Sequence, residues 1–211
     1  MKNLVIVFFS LVMFGCQSAY YAAWEKLGVE KRDILVDRVE DAKDSQEDAQ
    51  LQFASALDEF SQLINYDGGE LQDVYDDLSG QYEASKSAAD NVSSRIDKVE
   101  SVAEALFDEW AEELEKYSNA KLKRDSEKQL RETQRRYNSL ISAMRKAESK
   151  MPPVLSALQD NVLYLKHNLN ANAVGALQGE FNLIKKDIDL LIEEMNSAIS
   201  QSNEFITSIQ S

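Results

Sequence analysis

From Val174 onward the apolar positions recur at intervals of three and four: Val174, Leu177, Phe181, Ile184, Ile188, Leu191, Met195, Ala198, Ser202, Phe205 and Ile209, with a single hydroxyl at Ser202. That alternation is the seam of a heptad helix. A second seam runs Ile96, Val99, Ala103, Leu106, Trp110, Leu114, Tyr117, and a third Leu130, Thr133, Tyr137, Leu140, Met144, Ala147, Met151. A fourth, weaker one runs Leu35, Val39, Ala42, Ala49, Phe53, Ala56, Phe60, Leu63. None of these segments is apolar all round, so each must lay its stripe against another. Fully burying a large apolar side chain contributes about 1.5–3 kcal/mol, an upper figure because the unfolded chain is already partly compact.

Polar turns divide the pattern. Asn65 to Glu70, "NYDGGE", holds residues that accept positive φ. Tyr117 to Ala120, "YSNA", offers Ser and Asn as caps. At Asn168 to Ala173, "NLNANA", the seam Leu155, Leu158, Val162, Leu165, Leu169 fails to continue in phase into Val174. The expected helices therefore cover 18–64, 70–117, 121–169 and 172–209. Near-equal lengths and short turns suit up-down packing, with the first three each roughly 70 Å long at 1.5 Å per residue. The predicted fold is all-α: an elongated, antiparallel, coiled-coil-like four-helix bundle. Pro152 and Pro153 read as a kink in the third long helix; the rival is a five-helix arrangement with a true turn at the prolines.

Composition supports this class. The chain has two prolines and seven glycines, so loop punctuation is scarce. Ala, Leu, Glu, Lys, Gln and Ser dominate, and strictly alternating runs of Val, Ile and Thr are missing, which leaves no all-β or α/β reading.

The N-terminus carries a different signal. Lys2 is followed by the uncharged stretch Leu4 to Phe14, too short for a bilayer core that needs roughly 20 apolar residues. A basic start, a short apolar core and Gly15 make a secretory signal. Met13-Phe14-Gly15-Cys16 resembles the lipobox of bacterial lipoproteins, with Met13 in place of the usual leucine and a bulky Phe14. This resemblance implies a signal peptide at 1–15, a mature chain at 16–211 forming a single helical-bundle domain, and acylation of Cys16. Two acyl chains suffice for stable anchoring where one does not. Gln17 resembles the outer-membrane default, which sets the expected location at the periplasmic face of the outer membrane of a Gram-negative bacterium. The alternative is an uncleaved membrane anchor with an incidental cysteine. Cys16 is the only cysteine, so its acylation would leave no thiol for catalysis, zinc ligation or a disulfide.

Charge is sorted along the chain. Residues 30–117 hold 25 acidic and 8 basic side chains, a net of −17; residues 121–150 hold 10 basic and 4 acidic, a net of +6. Lys128, Arg131, Arg135 and Arg136 flank the third seam, and Glu104, Asp108, Glu112 and Glu115 flank the second. Antiparallel neighbours are expected to bring these flanks together, as e and g charges meet in coiled coils. Such pairs contribute little energy each, so their use would be register.

Candidate chemistry is thin. His167 is the only histidine and lacks a Glu three residues before it, so the Glu-x-x-His pattern of di-iron bundles is missing. Asp41, Asp44 and Asp48 share a helical face but lack a calcium-loop glycine, and read as solvated. Gly175 and Gly179 have small-xxx-small spacing, which here suggests close packing within the bundle. Trp110 reads as core. Tyr20, Tyr21 and Trp24 read equally as membrane-interface aromatics or as the start of the first helix. Asn91-Val92-Ser93 matches a glycosylation sequon by chance. Nucleic acid is not an expected partner of the basic segment, because the export signal and the acidic remainder oppose it. No cofactor, metal or catalytic residue is expected.

Three long stretches, "WEKLGVEKRDILVDRVEDAKDSQEDA", "SNAKLKRDSEKQLRETQRRY" and "LQDNVLYLKHNLNANAVGALQGE", resemble the bacterial domain of unknown function 2959 (DUF2959) family over nearly all of the mature chain. The resemblance implies an exported, helical, lipoprotein-like protein and supplies no activity. The expected function is a non-enzymatic one: a lipid-anchored coiled-coil scaffold or docking partner in the envelope, with oligomerisation compatible. The alternative is a binding module for an apolar ligand such as a lipid, with Ala42, Ala49, Thr133 and Ser202 leaving room. The segments "LRETQRRY" and "NVLYLKHNLNANAVGALQGE" are more specific than a seam requires. They give Arg131, Arg135, Arg136, Tyr164, His167 and Asn168 as the candidate partner surface.

Overall fold

The computed structural model describes residues 30–65, 68 and 71–210. Residues 1–15, expected to be a signal peptide, Cys16, and the Tyr20, Tyr21 and Trp24 aromatics lie outside the described residues. Among the described residues five helices follow one another: α1 (Lys31–Ile64), α2 (Leu71–Leu114), α3 (Ala120–Glu148), α4 (Met151–His167) and α5 (Ala171–Gln210). Among the described residues there is no strand.

The turns use the residues the sequence offered. Gly68 takes φ +137°, a conformation open to glycine. Asn119 caps α3: its Oδ1 accepts from the backbone N–H of Lys121 (2.9 Å) and Leu122 (3.3 Å). Asn170 Oδ1 accepts from Ala173 N–H at 3.2 Å at the start of α5.

Side-chain pairs fix the topology of α1, α2, α3 and α5, two or more to each interface: Gln50–Asn196 joins α1 to α5, Glu100–Arg145 joins α2 to α3 and Lys146–Glu194 joins α3 to α5. Between α1 and α2, Gln52 Nε2 donates to Gln81 Oε1 at 2.7 Å and Arg95 Nη1 to Asp41 Oδ2 at 2.9 Å. Phe60 meets Phe181 edge-on at 5.6 Å between α1 and α5. Phe107, Tyr137 and Phe205 tie α2, α3 and α5 through edge contacts of 5.4 and 6.4 Å. In every pair one number rises as the other falls, so neighbouring helices are antiparallel. α1 packs on α2 and α5; α3 and α4 each pack on α2 and α5 and touch one another little. α3 followed by α4 thus fills the place of one long helix, diagonal to α1.

The third helix departs from the expected single kinked rod: two helices stand in place of one, separated at Ser149–Lys150. Pro152 and Pro153 fall in the first turn of α4, where intrahelical N–H bonds are not made. A continuous helix would need N–H groups at 152 and 153 for the carbonyls of Glu148 and Ser149, and proline has none. The ladder tightens accordingly: Ser149 N–H still bonds Arg145 O, but Lys150 N–H bonds Ala147 O.

The four seams face inward, with Tyr117 at the α2–α3 turn as the exposed exception. Phe53, Phe60 and Phe205 are among the largest fully buried side chains; truncating such a residue to Ala costs about 3–5 kcal/mol. Alanines at 42, 49 and 56 on α1, and at 89 and 103 on α2, are buried where the most extensively packed pair of helices meets. Trp110 is only half-buried, since its Nε1 donates to Ser126 Oγ at 2.8 Å near the bundle end. Gly175 and Gly179 are exposed, and a Cβ on either would meet nothing within 4 Å, so their spacing does not serve close packing in the bundle.

Candidate functional site

The bundle has two chemically distinct ends. The proximal end gathers the start of α1, the α2–α3 turn and the C-terminus of α5. The distal end gathers the α1–α2 and α4–α5 turns. The six residues of the expected partner surface divide between them. Arg131, Arg135 and Arg136 lie on the proximal half of α3, whereas Tyr164, His167 and Asn168 close α4 at the distal end. Arg135 and Tyr164 are on the order of 40 Å apart along the axis at 1.5 Å per residue. They do not form one surface.

On α3, Lys121, Arg124, Lys128, Arg131 and Arg135 follow spacings of 3, 4, 3 and 4, and all are exposed. At about 100° per residue this stripe points away from buried Ser126, Leu130, Leu140 and Met144. The expected pairing of Lys128, Arg131, Arg135 and Arg136 with Glu104, Asp108, Glu112 and Glu115 does not occur. Lys128 and Arg135 instead reach Glu132 of their own helix, each at 3.9 Å, with 72% and 77% of their side chains exposed. Lys121, Arg124 and Arg131 make no ion pair among the described residues. The stripe is directed outward by helical phase, so its charges cannot reach across a seam.

The α2–α3 charge contact is made elsewhere. Arg145 Nε donates to Glu100 Oε1 (3.2 Å), Nη1 to Glu148 Oε2 (2.8 Å) and Nη2 to Asp97 Oδ1 (2.6 Å) and to Glu100 Oε2. Ser93 Oγ donates to Glu148 Oε1. The hydrogen bond to Glu100, reinforced by Glu148 and Asp97, holds the guanidinium still more firmly protonated than usual. Tyr137 is pushed up to about 12 by burial, with Glu100 adding and Arg145 opposing. Near the turn, Lys123 Nζ meets Glu115 Oε1 at 3.0 Å.

Beside the stripe, the α2–α3 turn exposes Tyr117 (41%) and Leu122 (53%). A groove of about 700 Å³ at the same end is lined by Lys31, Glu109, Trp110, Glu132, Arg136 and Ile209. At the distal end Leu163, Tyr164 and Leu169 are exposed apolar side chains. His167 is exposed beside them, and Asn168 Nδ2 donates to Tyr164 O at 2.9 Å. A second groove, of about 440 Å³, lies against the helix break, lined by Tyr82, Ser93, Glu148, Met151, Pro152 and Leu155.

Two buried polar residues without hydrogen-bond partners among the described residues escaped the sequence reading. Gln46 is 0% exposed, and neither its Nε2 nor its Oε1 has a partner among the described residues; Ser85 Oγ is in the same state. The signal was present as a gap: the α1 seam omits one position between Ala42 and Ala49, and Gln46 fills it.

Asp41 is engaged by Arg38 (3.0 Å) and Arg95 (2.9 Å). Among the described residues no group of three His, Cys, Asp or Glu is placed to hold a metal ion. Among them, too, no helix is long and apolar enough to cross a membrane.

No curated protein and no solved structure matches the chain. A family model described as "Protein of unknown function (DUF2959)" matches residues 20–209 of the 211. That match takes in all five helices, both ends of the bundle and the basic stripe, and the chain belongs to the DUF2959 family.

Proposed function

We propose that the protein is a lipid-anchored, non-catalytic rod of the cell envelope. In this reading it is held through acylated Cys16 at the periplasmic face of the outer membrane and docks a protein partner at its far end. The supporting observation is the polarity of the bundle. The chain that leads back to Cys16 leaves from the start of α1, at the proximal end. The exposed group of Leu163, Tyr164, His167 and Leu169 is at the other end. With α5 spanning 40 residues, the two are about 60 Å apart. A rod tethered by one end separates its docking end from its anchored end by the length of the bundle, which is what a scaffold requires.

The test has two parts. Cys16→Ser should leave an unprocessed precursor that lacks the mass of acyl chains; processing to the wild-type mature N-terminus would refute the anchor. A photocrosslinker at Tyr164 should capture a protein partner in intact cells that one at Ser55, on the outward face of α1, does not. Equal capture at both positions would refute distal docking.

A second reading, an apolar-ligand module, is favoured by the groove at the helix break, whose wall includes Tyr82, Met151, Pro152 and Leu155. Native mass measurement of the extracted protein separates the readings, since bound lipid beyond the acyl anchor supports the second.

A further inference from the structure

We propose that the outward face of α3, together with the α2–α3 turn, rests on an anionic bilayer surface, so that the anchored rod leans on its membrane along that face. This rests on the anchored reading above and adds the surface that meets the lipid. Three independent features converge on the proximal end. The first is the stripe Lys121, Arg124, Lys128, Arg131, Arg135, exposed throughout and about 21 Å long at 1.5 Å per residue. Among the described residues its only close carboxylate contacts run to Glu132 on the same helix at 3.9 Å. The second is the pair Tyr117 and Leu122, exposed at the turn from which the stripe starts. An aromatic and an aliphatic side chain set among Lys116, Lys121, Lys123 and Arg124 suit a headgroup region, where rings and basic groups gather. The third is the tether: thirteen residues separate Cys16 from Glu30. At roughly 3.5 Å per residue they allow at most about 50 Å between acyl chains and bundle, so the proximal end stays within reach of the headgroups.

Charge selects one face. The chain carries a net −14, and an anionic surface repels most of it. Asp125 is exposed beside the stripe, as are Glu112 and Glu113 in the last turn of the neighbouring α2 and Glu115 just beyond it. Five cations in a row on α3 make its outward side the one that such a surface attracts. Each basic residue close to an anionic membrane strengthens binding by roughly fivefold, within a Debye length. A second copy of the chain, offering its acidic α1–α2 flank, is the competing occupant.

The full acylated chain is reconstituted in phosphatidylcholine vesicles with or without phosphatidylglycerol. A fluorescent thiol probe is placed at Asn138→Cys, on the continuation of the stripe, or at Ser55→Cys, on the helix diagonal to α3. Both residues are exposed. Headgroup spin-labelled lipid reads proximity. Quenching at 138 should exceed that at 55 severalfold with phosphatidylglycerol. The difference should collapse without it, at high salt, or in the triple variant Lys128→Glu, Arg131→Glu, Arg135→Glu. Circular dichroism verifies that this variant, altered only at exposed positions, keeps its helices. The intact mass and the thiol count report acylation separately. If Cys16 proves free, co-sedimentation of the wild type with the two vesicle types still tests the face, and the triple variant should bind anionic vesicles at least tenfold less. Equal quenching at 138 and 55, or no dependence on phosphatidylglycerol, overturns the proposal. So does dimerisation that the triple variant abolishes while quenching stays absent, which assigns the face to a second copy.

Discussion

Gln46 is the point where the core departs most from its own pattern, and it yields a quantitative prediction. The side chain is fully buried in the α1 seam, one turn from Ala42 and Ala49. Its amide has a donor and an acceptor without partners among the described residues. The pairs Asp41–Arg95 and Gln52–Gln81 set the register of α1 against α2. That register brings Ser85, also unpartnered, to within about one turn of Gln46 across the seam. Burying an unsatisfied polar group costs about 1–3 kcal/mol. Gln46→Met keeps an unbranched side chain of similar volume and removes both polar atoms. The variant should gain about 1–2 kcal/mol, which for a bundle of this size is a Tm rise of about 2–8 °C. Thermal and urea unfolding followed by circular dichroism measure it, with Gln46→Ala as the control that removes polar atoms but opens a cavity and so gains less. A loss of more than about 1 kcal/mol in Gln46→Met would refute the reasoning. It would mean that the amide is held by buried water whose bonds the methionine forfeits. A polar residue at a seam position also opposes slipped registers, so the stabilised variant should unfold less cooperatively, as a lower urea m-value.

Three further outcomes follow from other parts of the bundle. Arg145→Met leaves Asp97, Glu100 and Glu148 facing one another; stability should fall by about 1–2 kcal/mol and fall less at high salt, since the site is partly solvated. Tyr137, pushed up to about 12 in the fold, titrates near 10 when unfolded; its contribution is fully present below pH about 10 and is lost as pH rises through about 12. Tyr137→Phe should therefore show a smaller fall in stability over that interval in alkaline melts. Gly80→Ala on α2, where an added Cβ meets nothing within 4 Å, should gain about 0.5–1 kcal/mol in urea unfolding.

How far the sequence reaches depends on what kind of interaction decides each feature. The α5 seam is written in the spacing of Val174 to Ile209, and those positions are buried or half-buried in the bundle. The turn at Asn119 was legible because a cap acts locally, on the next two N–H groups. The break at Ser149–Lys150 was not decided by the sequence, because a kink and an interruption share one signature, a proline pair in an apolar period. What separates them is whether the chain tightens to an i−3 bond at Lys150, a matter of backbone geometry. Gln46 was hidden for a different reason. A seam tolerates one skipped position in the reading, and nothing in the spacing says whether that position turns in or out.

Charge shows the limit most clearly. Counting sign along the chain places an acidic α2 next to a basic α3 and suggests that the two neutralise each other. Helical phase decides otherwise. Arg145 lies on the side of α3 that faces α2 and collects Asp97 and Glu100, whereas Lys121, Arg124, Lys128, Arg131 and Arg135 lie on the side remote from the core. The 3, 4, 3, 4 spacing of those five residues is plain in the amino-acid sequence. Set against the phase of Leu130, Leu140 and Met144, it points outward, so proximity in sequence between opposite charges does not imply contact. Lys121, Arg124 and Arg131, which make no ion pair among the described residues, carry their full field into solvent, screened only over about 8–10 Å. The outward stripe therefore adds little to the stability of the bundle. Its consequence is for orientation: an acidic rod with one basic flank presents that flank, and not its others, to any anionic surface it approaches.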